Sequence, residues 1–295
     1  MTQPGTDPLQ AWIGRSEVAQ DVARVQPALA LAVTLDRADL QARLRAPGAT
    51  LPPAWHWLYF LPTALQSTLA ADGHPAKGGF LPPVPLPRRM WAGSRLAFLA
   101  PVAFDAALAR DSRIVRIDSK SGRSGALVLV TVRHEIRADG VLAVVDEHDI
   151  VYREAATAAA GAAAAAAPAP SEPARKADFT RTVHPDPVLL FRYSAVTFNG
   201  HRIHYDRSYV TQVEGYPGLV VHGPLQATLL LDLLDRHLPG ARVARFAFRA
   251  LVPVFDTASF TLCGAQDGAK DAGRVQLWTL TPDGRVAMDA TAELA

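Results

Sequence analysis

Between Thr197 and Asp206 the chain reads TFNGHRIHYD, setting one amide, two imidazoles and a carboxylate close together, and GLVVHGPLQATLLLDLLDRHLPG comes almost at once afterwards. The imidazoles of His201 and His204 can take up and return a proton near neutral pH, whereas the amide of Asn199 can only orient a partner. The plain alternatives are a hydrogen-bonded turn histidine at His204 and a structural or solvent-facing one at His201. Two histidines three residues apart also suggest a metal. The sequence offers no nearby Glu or Cys to complete such a site, and Asn is a poor ligand, so no metal is expected. Asp206 reads as the cap of a short helix beginning near DRSYV. Tyr193 and Tyr205 read as pocket wall or core.

These groups need elements to hold them. In HGPLQATLLLDLLDRHLPG, Gly223-Pro224 suits a first helical turn and Pro239-Gly240 a stop. Leu225, Leu229, Leu230, Leu233, Leu234 and Leu238 spread over far more than a narrow stripe, so most of this helix has to be covered by protein. Strand-like text comes next: TASFTLCGAQ, GRVQLWTLTPDG and RVAMDATAEL, with a turn at Asp283-Gly284. The first half has the same order. RLAFLAPVAFDA from Arg95 matches RFAFRALVPVFDTA from Arg245 with a one-residue slip, and strands with a late Asp139-Gly140 turn come after it. Helix first and antiparallel strands afterwards is an α+β pattern, and a long helix enclosed by a curved antiparallel sheet is the hot-dog arrangement. The expected architecture is therefore a double hot-dog, two tandem domains each with a curved sheet around a long central helix. The expected boundaries are 1–153, an Ala/Pro-rich linker at 154–178 (EAATAAAGAAAAAAPAPSEPARKAD), and 179–295.

Composition removes several functions. Thirty basic against twenty-eight acidic side chains, with no long basic run, do not advertise a nucleic acid or an anionic membrane as partner. Neither a signal peptide nor a membrane-spanning run is apparent, and the single cysteine, Cys263, cannot make an internal disulfide or a thiolate zinc site. A cytoplasmic protein without a cofactor is expected.

YSAVTFNGHRIHYD followed by GYPGLVVHGPLQATLLLDLL resembles the MaoC-like (R)-specific enoyl-CoA hydratases and dehydratases, which have the hot-dog fold. AWIGRSE and GGFLPPVPLPRRMWAGSRL in the first half resemble the N-terminal domain of the two-domain subgroup that includes mesaconyl-C4-CoA and itaconyl-CoA hydratases. The likeness covers nearly the whole chain. It departs from many single-domain members in carrying Asn199, not Asp, five residues before His204, a variant common in the two-domain subgroup.

The resemblance implies three roles. His204 is the general base and then acid that moves a proton between water and Cα, Asn199 orients the water, and the backbone N–H of Gly223 stabilises the thioester oxygen with the help of the helix dipole. His222 and Tyr205 are implied as substrate contacts, with His222 also readable as a packing residue. The first half has no such dyad, its matching text ending in TLDRAD, so one site per chain is expected, with the two sheets paired edge to edge as a pseudo-dimer. The implied substrate is a short, branched, carboxylated enoyl-CoA such as mesaconyl-C4-CoA or itaconyl-CoA, hydrated to citramalyl-CoA. Arg88, Arg89, Arg192 and Arg202 are the candidates to meet its carboxylate, or equally a CoA phosphate or solvent. The chain is expected as a monomer or a homodimer. A hot-dog acyl-CoA thioesterase and a non-catalytic acyl-CoA or acyl-carrier-protein binding module are the rival readings.

Overall fold

The structure, a computed structural model, describes residues 7–122, 125–154, 175–266 and 273–295. Ten strands form one continuous antiparallel sheet. The first half supplies β1 (Ser16–Val22), β2 (Arg88–Phe98), β3 (Ala107–Gly122), β4 (Gly125–Ala138) and β5 (Val141–Arg153). The second supplies β6 (Phe179–Val183), β7 (Val243–Ala250), β8 (Phe260–Gln266), β9 (Arg274–Leu280) and β10 (Val286–Leu294). Their order is β1-β3-β4-β5-β2-β7-β10-β9-β8-β6, so the five-stranded pattern of one half is repeated in reverse by the other. The sheets meet where β2 pairs with β7, and there Leu96 faces Phe246. These residues stand at matching positions of the repeat read from the sequence, so a pseudo-two-fold axis passes between them. Gly93 makes the seam possible, because a Cβ there would lie 2.4 Å from the carbonyl oxygen of Phe248. Asp139 and Gly140 turn β4 into β5 with φ of 47° and 83°, the two left-handed residues that a tight hairpin requires.

Helices α1 (Val25–Thr34) and α2 (Ala38–Leu44) belong to the first half, and α3 (Pro187–Val196), α4 (Arg207–Gln212) and α5 (Gly223–His237) to the second. From Leu225 to Leu234 every residue of α5 is buried, as its all-round leucines demand, and each leucine so covered contributes about 1.5–3 kcal/mol. Asp232, within this helix, is held by Arg37, Arg181 and Arg236, which fixes α5 to the segment before α2 as well as to its own sheet.

The double hot-dog stands, with one amendment to the expected picture. In the second half the amide of Val221 bonds the carbonyl of Val254 at 2.8 Å and α5 begins directly afterwards; in the first half Leu51 bonds Val102 in the same way, also at 2.8 Å. The next element there is only a single 3-10 turn, Trp55–Leu58, and not a long central helix. Pro52 and Pro53 precede the turn and Tyr59 ends it in extended backbone, so the chain leaves the concave face after four residues. Most of the alanine-rich stretch read as a linker, 155–174, lies outside the described residues.

Candidate active site

The loop that carries TFNGHRIHYD is built to be rigid. Asp186 caps α3 by accepting the N–H of Leu189 at 2.9 Å. After the helix Phe198 takes a left-handed backbone, φ 48°, a costly conformation for a bulky residue that redirects the chain into Asn199. The side-chain oxygen of Asn199 accepts the N–H of His201 at 3.0 Å, a 3-10 turn spans Arg202–His204, and Asp206 caps α4 through the N–H of Tyr209 at 2.9 Å.

His204 is buried, and its Nδ1 lies 2.7 Å from the carbonyl oxygen of Val220. A carbonyl can only accept, so Nδ1 carries the hydrogen and Nε2 keeps its lone pair. The ring stacks on His222 with centroids 3.7 Å apart. Burial pulls the pKa of His204 down to about 4, against the bond to Val220, and keeps the ring neutral. His222, with no exposed surface, joins Ser194 Oγ through Nε2 at 2.8 Å. Gly223 opens α5, where backbone N–H groups have no partner within the helix and the positive end of the helix dipole lies.

The first half closes on this loop from the other side. At Gly73, φ 89°, a Cβ would lie 1.9 Å from the carbonyl oxygen of Gly200, so only glycine allows the two loops to touch. Arg202 binds the first-half loop through its backbone N–H to Asp72 O at 2.9 Å and its guanidinium to Ala71 O at 3.1 Å. This contact brings in a pair that the sequence reading missed. Asp72 accepts from His74 Nδ1 at 2.9 Å, and the His74 ring lies 4.1 Å from that of His201. Burial lowers the pKa of His74, and burial together with His74 lowers that of His201 to about 2. His201 is thus half-buried, packed between His74 and His204. The ground for expecting no metal also shifts, because Asp72, His74 and His201 each place a ligand atom within 4.8 Å of the others.

A cavity of about 1080 Å³ runs between the halves. Asn199, Tyr205, Arg202 and Pro224 line it from the second half, and His74, Arg89 and Trp91 from the first. His204 and Gly223 are not themselves in the wall; Gly223 directly precedes Pro224, which is, and His204 stacks on His222, the residue before Gly223. Some of the other expected contacts stand elsewhere. His222 has no exposed surface; it joins Ser194 and packs against Tyr193, both of which line the cavity. Arg88 is consumed by Glu214, 3.0 Å away, and lies outside the lining; Arg192 lines a separate, smaller cleft. Arg202 lines the cavity but is paired with Asp206 at 2.7 Å and stacked over Tyr209. Arg89 lines it and makes no ion pair among the described residues. The hydroxyl of Tyr205 donates to Gly200 O at 2.9 Å, which holds that ring at the mouth.

Residues 54–256 match the profile of the hydroxyacyl-thioester dehydratase type 2 family. The chain belongs to this family. The mesaconyl-C(4)-CoA hydratase of Chloroflexus aurantiacus is 48% identical over 284 residues, 96% of this chain and 97% of that protein. Among solved structures, a MaoC-like dehydratase from Phytophthora capsici superposes with a TM-score of 0.67 at 16% identity, over 96% of each chain. A Mycobacterium tuberculosis protein described as a double hotdog fold superposes with a TM-score of 0.58 at 18% identity, again over 96% of each chain. The two structural likenesses show the fold. The family and the 48% identical hydratase make the chain a hydro-lyase.

Proposed function

We propose that the chain adds water across the double bond of a short, branched, carboxylated enoyl-CoA of the mesaconyl-C4-CoA type. The observation that carries this reading is the likeness to mesaconyl-C(4)-CoA hydratase over nearly the full length of both chains. Water attacks Cβ as its proton passes to His204 Nε2, and electrons shift onto the thioester oxygen. The N–H of Gly223 stabilises that oxygen, a contribution of roughly 3 kcal/mol for one oriented donor. His204 then returns the proton to Cα, and the ring ends as it began. Asn199 aligns the water, using the lone pair of Oδ1 not engaged by His201. For the thioester to meet these groups, the cavity wall must open toward His204 and Gly223, which do not themselves line it.

The domain division 1–153, 154–178 and 179–295 accords with this reading, since β5 ends at Arg153 and β6 starts at Phe179. One chain brings both walls of the cavity, which supports a self-sufficient unit, alone or as a homodimer. A cytoplasmic setting is supported by the single cysteine. Among the described residues no helix is long and apolar enough to cross a membrane. The test is an assay of purified protein with mesaconyl-C4-CoA, itaconyl-CoA and crotonyl-CoA, with the products separated by chromatography. A hydrated dicarboxylic product is expected; release of free CoA without hydration would replace the proposal with thioester hydrolysis.

A further inference from the structure

The long helix that fills the second half has no counterpart in the first, and the uncovered sheet face becomes the floor of the cavity. Such a face ordinarily carries apolar side chains. Here several inward positions on three strands are polar: Arg110 and Ser112 on β3, His134 on β4, Asp146 and His148 on β5, with Arg110 itself opposite Ile136. The register sets Ser112 opposite His134 and His134 opposite Asp146, so they form one patch. The patch is contiguous with the helix start: the backbone oxygen of Trp91 lies 3.7 Å from a Cβ placed on Gly223, the Trp91 ring is 4.1 Å from His148, and His148 is 4.4 Å from His134.

The hydrogen bonding of this patch is lopsided. Asp146, 1% exposed, receives His56 at 3.0 Å, Trp57 at 2.9 Å and His148 at 2.7 Å, all on Oδ2, while Oδ1 has no partner. Its negative charge is therefore shared among three donors of the protein. The positive charge of Arg110 is not. Its Nε is buried without a partner, its guanidinium lies 4.9 Å over the Phe60 ring, and among the described residues it makes no ion pair. Glu17, Asp21 and Asp146 are close enough to act on it electrostatically but do not bind it. A fold built for stability alone gains nothing from an unpaired guanidinium on the floor of a cavity.

We infer that this polar floor, Arg110 with His134 and His148, is the recognition site for a carboxylate borne by the acyl group. The planar fork of Arg110 matches a carboxylate, and the imidazoles beside it offer ring nitrogens on the path from the helix start. Under this inference the acyl part of a thioester seated at Gly223, and not its nucleotide, lies on this floor, which the Trp91 and His148 rings connect to the helix start. The inference rests on the acyl-CoA reading above and assigns the substituent that reading leaves to be placed.

Two unreactive saturated thioesters separate this inference from the hydration itself: 2-methylsuccinyl-C4-CoA and butyryl-CoA, titrated calorimetrically against the whole chain. The wild-type protein should bind the carboxylated thioester at least tenfold more tightly. Arg110→Ala should erase that preference, and Arg110→Lys should restore part of it; thermal melting of each variant reports folding independently. Equal affinity of the wild type for both thioesters, or an unchanged preference in folded Arg110→Ala, overturns the inference. If the preference behaves as expected but the wild type hydrates no enoyl-CoA, the assigned reaction is wrong and the carboxylate site stands.

Discussion

The rings of His204 and His222 lie 3.7 Å apart, nearly parallel at 19°, and each is fixed by a different neighbour: Val220 O for the first, Ser194 Oγ for the second. Stacking without a hydrogen bond between them means His222 sets the plane of the His204 ring and leaves its Nε2 lone pair alone. His204→Gln, which keeps a polar group of similar reach but cannot shuttle a proton, should lower kcat for hydration by roughly 10²–10⁴-fold. Binding of a saturated acyl-CoA should persist. Stopped-flow turnover beside calorimetric titration measures both, and near-normal turnover would remove His204 from the reaction.

Asn199 offers a cleaner separation of orientation from titration. Its oxygen accepts the His201 N–H, a bond that an aspartate would also make, so Asn199→Asp should leave the loop in place. If the amide only aims the water, Asn199→Asp should retain hydration within about tenfold, and Asn199→Ala, which removes both the acceptor and the loop bond, should cost considerably more. Rates for the two variants at one pH decide between them; an inactive Asn199→Asp would show that the amide nitrogen is the working atom.

The buried histidines make stability depend on pH with a definite sign. Burial, reinforced by neighbouring imidazoles for His134, His201 and His222 and by His74 for His204, lowers all four below the ordinary value of about 6.5. The folded state holds them neutral while the unfolded chain protonates them, so their contribution is fully present above about pH 6.5. It is lost as pH falls toward the folded values, about 4 for His204. Each contributes a slope of up to about 1.4 kcal/mol per pH unit in that window. Urea unfolding at pH 7.5, 6.5, 5.5 and 4.5 should therefore show a steep decline, shallower by about one proton in His222→Gln. A level profile would contradict the burial of these rings.

How much of the molecule was legible beforehand depends on where the information sits in the chain. The helix at Gly223, its leucine coverage, the cap at Asp206 and the equivalence of the strands that carry Leu96 and Phe246 were readable, because each depends on local pattern or on a repeat within the sequence. The Asp72–His74 pair was not. It meets His201 only after the halves fold against each other, and nothing local marks it except Gly73 between them. The polar floor did leave a signal. In VTVRHEI and VVDEHDI the inward positions of otherwise apolar strands are taken by His134, Asp146 and His148, a break in two-residue periodicity that points to a cavity and not a core. The missing first-half helix was disguised by ALALAVTLDRADLQARL, which does form helices, α1 and α2, although not the central one.

Gly73 provides the test of whether that meeting of loops matters to catalysis. Its left-handed backbone and the 1.9 Å approach of a would-be Cβ to Gly200 O mean that Gly73→Ala cannot be accommodated without separating the two loops. The loops carry Asp72 and His74 on one side and Asn199 to His204 on the other, and of these residues Ile203 is the one that packs as a hydrophobic side chain against the core around α5. The variant should accordingly lose much more activity than stability: a fall in kcat/KM of roughly 10²-fold, the scale that a misplacement of about 1 Å produces, with a loss of stability of about 1–3 kcal/mol. Moving the glycine's neighbour instead, His74→Ala keeps the loop backbone intact, so comparing the two separates the effect of the imidazole from that of the contact. If Gly73→Ala hydrates substrate at the wild-type rate, the first-half loop is a bystander and the site is confined to the second half.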